Sequence, residues 1–311
     1  MFVYFGTGQG GHRTVTTAVG GGWQSITGMS GVSLSSVKDF SGAGQSSTPT
    51  PTPTPSSSPV VPVNGATQVY ARDASGVLWL YTSRDGGVLT NRLLAGNGWQ
   101  SIKSFVDVGD FNSDGKRDLV ALSQSGVLSL YPTDGSNGWG AVSELESGWD
   151  ANTVITGAGD FDENGTKDLI SLDSVGDLWL HKGDGARSLA AKVKIASGWN
   201  DVNAILGLGD WDGDHHHDLL ARKSDGSLWY YPGTGSGGVG AGVRIGGGWQ
   251  AITAITGAGD FDKDGKVDFI ARSSSGTMFV YFGTGQGGHR TVTTAVGGGW
   301  QSITGMSGVA H

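Results

Sequence analysis

The feature that most constrains this 311-residue chain is a fifty-residue repeat, held in register over four consecutive copies. Gly-Trp pairs place tryptophans at Trp99, Trp149, Trp199 and Trp249, and a fifth follows at Trp300. After each comes a short apolar run such as Ala251-Ile252-Thr253-Ala254-Ile255, then an acidic loop, then a second run such as Asp118-Leu119-Val120-Ala121-Leu122. A Ser-Gly or Asp-Gly turn leads to a third, alternating run, Val77-Leu78-Trp79-Leu80-Tyr81 in its earliest copy. A Gly-rich turn leads to a fourth, such as Ala191-Lys192-Val193-Lys194-Ile195. Four short strands per repeat, with turn residues between them, cannot bury their apolar faces alone and must stack on neighbouring copies. The pattern predicts an all-β fold, a β-propeller of four-stranded blades.

Counting strands sets the number of blades. Residues 67–98 supply strands two, three and four, and Trp300–Ser307 supply a first strand with nothing after it. These partial units complete one blade, so residues 65–311 are expected to form five blades closed by the C-terminal strand. Closure removes the exposed edge that an open array would carry.

Two other segments precede the repeat. Residues 1–30 are identical to residues 278–307, so Met1 corresponds to Met278 in the middle of a repeat. They read as the overhang of an upstream propeller, and the chain as a piece of a longer tandem array. The alternative is that Trp23–Ser30 compete for the closing position, enlarging the ring or swapping between chains. Residues 31–64 hold six of the eight prolines within a Ser/Thr tract. Such a segment cannot bury a core and is expected to be an extended linker. Pro-Thr spacers of this kind resemble those joining modules of exported bacterial enzymes, which sets the expectation of a secreted, extracellular protein.

The chemistry is carried by the acidic loops. In Asp260-Phe261-Asp262-Lys263-Asp264-Gly265-Lys266-Val267-Asp268, carboxylates stand at positions 1, 3, 5 and 9, with a glycine after the third. Short acidic side chains at alternate positions of a tight loop can converge on a hard cation, and the glycine permits the turn that brings position 9 back. The other three loops offer Asp110, Asn112, Asp114 and Asp118; Asp160, Asp162, Asn164 and Asp168; and Asp210, Asp212, Asp214 and Asp218. Position 7 varies freely (Lys116, Thr166, His216, Lys266), as expected where only its backbone carbonyl is used. The expected ligands are about four structural calcium ions, one per loop. The competing reading is four solvated acidic turns. The loops are not EF-hands, because no glutamate stands at position 12 and no amphipathic helix flanks them.

Charge and composition narrow the function. The formal net charge is −8, and fourteen of the 28 acidic residues are the proposed ligands, so an ion-loaded chain would be close to neutral. No basic patch interleaved with aromatics appears, and no nucleic-acid partner is expected. No apolar run reaches eighteen residues, so no membrane insertion is expected. Cysteine is absent, which removes disulfides and thiol catalysis. No nucleophile motif occurs, and the loops show neither an open coordination position nor an adjacent acid or base, so an enzyme is not expected.

The Gly-Ala-Gly-Asp-Phe-Asp segments (157–162, 257–262), the Asp-Gly turn with Asp-Leu/Phe after it, and the Ser-Gly-x-Leu-Trp-Leu-Tyr strand resemble the FG-GAP/VCBS repeats related to the integrin α-subunit propeller. The resemblance covers residues 65–311 and, in part, 1–30, and implies calcium at the four ligand sets. The chain departs from that pattern in reading Gly-Ala-Gly for Gly-Ala-Pro and in counting five blades rather than seven. The Gly-Trp spacing and the five-blade count also resemble tachylectin-type propellers, which lack the acidic loops. The resemblance implies a non-catalytic binding module for a glycan or a cell-surface partner, with a spacer or adhesion propeller that binds protein as the alternative. An enzyme with a channel-mouth site is the third reading. Trp99, Trp149, Trp199, Trp249 and Trp300 are candidate ligand-stacking residues, with inter-blade packing as the competing role. His215-His216-His217 within the third loop reads as a tolerated surface variation or a transition-metal site.

Overall fold

The computed structural model describes residues 4–6, 12–14, 67–83, 89, 91–135, 138–150, 153–290, 295–297 and 300–308. The chain divides into two compact units, Met1–Ser46 and Ser47–His311. In the first, β1 (Tyr4–Gly6) and β2 (His12–Thr14) form an antiparallel hairpin with Phe5 opposite Arg13 and Gly6 opposite His12. The identical segment of the second unit pairs the same way, Phe282 opposite Arg290 and Gly283 opposite His289. Local sequence therefore sets this hairpin's register. The proline-rich linker, the Trp23–Ser30 segment and any strand swap lie outside the described residues.

The second unit is a ring of five antiparallel blades. Blade 1 joins β3 (Thr67–Asp73), β4 (Leu78–Ser83) and β5 (Asn91–Gly96) to a strand from the far end of the chain. Blade 2 contains β6 (Ile102–Gly109), β7 (Asp118–Ser123), β8 (Val127–Pro132) and β9 (Ser143–Ser147). Blade 3 contains β10 (Val154–Gly159), β11 (Asp168–Leu172), β12 (Leu178–His181) and β13 (Val193–Ala196). Blade 4 contains β14 (Val202–Gly209), β15 (Asp218–Lys223), β16 (Leu228–Tyr231) and β17 (Val243–Gly246). Blade 5 contains β18 (Ile252–Gly259), β19 (Asp268–Ser273) and β20 (Met278–Gly283), with its outer strand divided into β21 (His289–Arg290) and β22 (Ala295–Gly297). Finally β23 (Ile303–Gly308) pairs antiparallel with β3, Met306 opposite Ala71, and completes blade 1.

Each first strand touches those of both neighbouring blades, and β23 contacts β18 on one side and β6 on the other, so the ring is closed. Glycine makes this close approach feasible. A Cβ on Gly207 would lie 2.1 Å from the carbonyl oxygen of Gly157, so the inner strands meet backbone to backbone. The second strands are buried along most of their length, since a neighbouring blade covers each face. Third strands alternate: Leu78 and Leu80 are buried while Trp79 is half-buried, and Leu178 and Leu180 flank a half-buried Trp179. These third-strand tryptophans are not core residues. The indole N–H groups of Trp79 and Trp179 donate to the turn carboxylates of Asp73 and Asp173, which holds the rings toward solvent.

The buried core is distributed rather than central. Five apolar clusters lie one at each seam between blades; the closing seam, for example, joins Val69 and Ala71 to Phe261, Ile270 and Trp300. A backbone bond repeated at every seam fixes the angle between blades. The N–H of Trp99, Trp149, Trp199, Trp249 and Trp300 donates to the carbonyl of Gly76, Gly126, Gly176, Gly226 and Gly276 in the preceding blade. Gly126 has a φ of +79°, and a Cβ there would lie 2.3 Å from the carbonyl oxygen of Trp149.

Candidate metal centres

Each acidic loop joins the first and second strands of a blade, and its backbone is wound tightly enough to need left-handed residues twice. Position 4 carries positive φ in Ser113 (58°), Glu163 (57°), Gly213 (88°) and Lys263 (62°). Position 6 does so in Gly115 (81°), Gly165 (90°), His215 (75°) and Gly265 (82°). The third loop therefore has its glycine at position 4, and His215 takes the strained place that glycine fills in the other three.

Backbone N–H groups organise the carboxylates. Asp110, Asp160 and Asp260 each accept from the N–H groups of positions 5 and 6, all at 2.9 Å. Position 5 accepts from the N–H of position 7: Asp114 from Lys116 at 3.0 Å and Asp214 from His216 at 2.8 Å. The position-9 aspartates, Asp118, Asp168, Asp218 and Asp268, are buried and tie the loop to the third strand. Asp268 accepts from the N–H of Phe261 and of Gly283, both at 2.8 Å, and Asp218 likewise from Trp211 and Gly233. Burial pushes all four carboxyls up to about 6, with neighbouring loop carboxylates adding to the effect in each case.

Three loops bring carboxylate oxygens into one cluster: Asp160, Asp162 and Asp168; Asp210, Asp212 and Asp218; Asp260, Asp262 and Asp268, each within 4.8 Å of one another. Oxygens on opposite sides of one calcium ion stand about 4.8 Å apart, so the spacing fits that ion's contact distances. Asp162 Oδ1 is in addition buried with no hydrogen-bond partner. Among the described residues, the position-5 carboxylates Asp214 and Asp264 lie outside these clusters, and the first loop, with Asn112 at position 3, forms no carboxylate triad. Several carboxylates have donors from the chain itself. Lys182 pairs with Asp162 (2.5 Å), Arg290 with Asp262 (3.0 Å) and Asp264 (2.9 Å), and Tyr230 donates to Asp212 (2.6 Å). The side chain of His216 lies 2.5 Å from Glu163 in the neighbouring blade's loop, which raises its pKa. The sequence leaves that side chain as a tolerated variation or a transition-metal ligand; in the structure it links two consecutive loops.

The five Gly-Trp tryptophans occupy equivalent seats. Trp99, Trp199, Trp249 and Trp300 are at most 8% exposed and pack on Tyr131, Tyr231, Tyr281 and Tyr81 with ring centroids 4.2–4.9 Å apart. Trp149 differs: it is half-buried, stacks on His181 at 4.7 Å and borders a cleft of about 330 Å³. The signal was present in the repeat, where His181 stands in the register that tyrosine fills elsewhere. A second break was also passed over. Asp107 replaces the glycine found at 157, 207 and 257, and pairs at 2.6 Å with Arg117. The pair interrupts the repeat, and its carboxylate is buried against the guanidinium.

Residues 110–171 and 210–271, which span the loops and second strands of blades 2 to 5, match the FG-GAP-like repeat family. The fold is a five-bladed propeller, and two stretches of it are similar to FG-GAP-like repeats. No curated protein matches the chain. Among solved structures it is similar to a symmetrical protein described in terms of de novo evolutionary emergence shaped by folding constraints, at 14% identity and a TM-score of 0.53, over 77% of this chain and 97% of that one. The BP39L lectin of Burkholderia pseudomallei aligns at 14% identity and a TM-score of 0.48, over 72% of this chain and 64% of that one. AofleA of Arthrobotrys oligospora aligns at 14% identity and a TM-score of 0.47, over 78% and 71% respectively. The likeness at a TM-score of 0.53 concerns the fold alone.

Proposed function

We propose that the chain is a calcium-stabilised, non-catalytic binding module of an exported protein, directed at a glycan or a cell-surface partner. The observation that carries the calcium part is the recurrence of an aspartate triad, oxygens within 4.8 Å, at the same place in three successive blades. Held without a cation, three carboxylates at this spacing repel one another, and the buried member is driven toward its protonated form. A divalent ion bound there reverses both effects and ties the loop, the start of the second strand and the end of the third strand into one unit. The binding reading draws support from a blade ring that displays similar loops on one scaffold.

The test is glycan-array binding and thermal unfolding, each with millimolar calcium and with EDTA. Calcium should raise the melting temperature, and replacing Asp260 and Asp262 together by asparagine should remove part of that rise while the other loops retain theirs. Melting curves that coincide in calcium and EDTA would refute the structural role of the ion. Silence on every glycan would favour the spacer or adhesion reading.

A further inference from the structure

Of the five tryptophan seats, one is left open. Tyrosine fills the third-strand position in blades 1, 2, 4 and 5, and each of those tryptophans is buried beneath it. In blade 3 the imidazole of His181 takes that place, and it is shorter than a phenol. The seats also vary in what the preceding blade contributes. Arg72, Arg222 and Arg272 donate to the carbonyls of Ile102, Ile252 and Ile303, and so clamp the Gly-Trp turn of the following blade. Leu122 before Trp149 and Leu172 before Trp199 cannot donate; Trp199 stays buried under Tyr231 all the same, so it is the histidine that leaves the Trp149 seat open. The indole of Trp149 is under-covered, and a cleft of about 330 Å³ opens beside it.

We infer that this cleft is a binding site for one uncharged sugar ring, a proposal that rests on the reading of the chain as a binding module and gives that reading a location. The volume lies at the lower end of small-ligand pockets, which suits a single ring rather than a peptide. Trp149 supplies the aromatic surface that the C–H face of a sugar stacks against, and Trp179, whose ring Lys192 and Lys194 cover, lines the wall beside it. Around them stand Glu146, Asp150 and Asp173 as hydroxyl acceptors and Lys192 as a donor. Three carboxylates against one lysine make the lining net negative, which disfavours acidic sugars and phosphates. A cationic ligand is also disfavoured, because Lys192 and Lys194 already cover Trp179 at 4.4 and 5.2 Å. His181 is buried and bonded through Nε2 to Ser171 Oγ at 2.9 Å; burial lowers its pKa to about 4, so it adds no positive charge at neutral pH.

The experiment uses the full chain in calcium, with methyl glycosides of neutral hexoses and N-acetylhexosamines as probes and a methyl sialoside as the charged comparison. Binding is read by saturation-transfer NMR and by the indole N–H shifts of Trp149 and Trp179. His181→Tyr restores the residue used in the other four blades, so it should keep or raise the melting temperature while closing the cleft. The expected result is that a neutral glycoside shifts both indole signals and that His181→Tyr weakens binding by at least about tenfold. Lys192→Ala, an exposed substitution without folding risk, should weaken the same binding severalfold. Equal binding by the parent and by both variants would overturn the cleft while leaving the binding-module reading intact. A preference for the sialoside would overturn the assignment to uncharged sugars. Failure of the parent chain to bind any sugar, there and on a glycan array, would overturn the sugar reading itself.

Discussion

The ring depends on its closing strand, and Arg272→Leu tests how that strand is held. Arg272 is 8% exposed and donates through Nη1 to the carbonyls of Ile303 and Trp300, and through Nε to Thr253 Oγ1. Leucine is the natural residue at the equivalent positions 122 and 172, so the substitution is compatible with a blade. It removes charge-assisted bonds from partly buried carbonyls, a loss of about 2–3 kcal/mol before relaxation. Burial lowers the Arg272 pKa, so removing the charge returns part of that loss. The net expectation is about 1.5–2.5 kcal/mol of destabilisation. For a domain of this size that lowers the melting temperature by about 3–10 °C. Near-UV circular dichroism measures the midpoint, and hydrogen exchange measures whether the amides of β23 open before those of β7. A midpoint within about 1 °C of the parent, with unchanged exchange along β23, would refute the clamp.

Three further outcomes follow from the same geometry. His215→Gly relieves the left-handed histidine of the third loop (φ 75°) and should stabilise the chain by about 1 kcal/mol, measured by urea unfolding. Gly207→Ala places a methyl group 2.1 Å from the Gly157 carbonyl, so it should separate two inner strands and cost upwards of about 4 kcal/mol, measured the same way. His181 is held neutral with its pKa lowered to about 4, so the unfolded chain takes up its proton first as pH falls. Its contribution should therefore be intact above about pH 6.5 and lost toward pH 4, by as much as about 3 kcal/mol, and the pH–stability curve of His181→Tyr should lack that component.

Much of this molecule was legible because its repeat is so regular. The spacing of Gly-Trp pairs and acidic loops was enough to count strands, and the partial units at residues 67–98 and 300–307 were enough to predict closure, since one blade lacked a first strand and one first strand lacked a blade. What escaped were interactions between copies that the repeat period does not encode. The pairing of His216 with Glu163 joins residues in adjacent loops, and the clamp of Arg72 on the turn at Ile102 crosses a seam. The half-burial of Trp79 and Trp179 depends on an indole N–H finding a turn aspartate, which an alternating strand pattern cannot reveal. Single departures, His181 for tyrosine and Asp107 for glycine, were visible as letters; their meaning needed the neighbouring blade.

The central claim is that aspartate triads hold divalent ions that stabilise the blades, and calcium titration of the EDTA-stripped chain by isothermal calorimetry tests it most directly. At millimolar calcium the account predicts binding of at least one ion per triad, three per chain, with dissociation constants no weaker than about 10⁻³ M. Magnesium should bind far more weakly in the same cell. A flat calcium titration of well-folded protein would contradict the account.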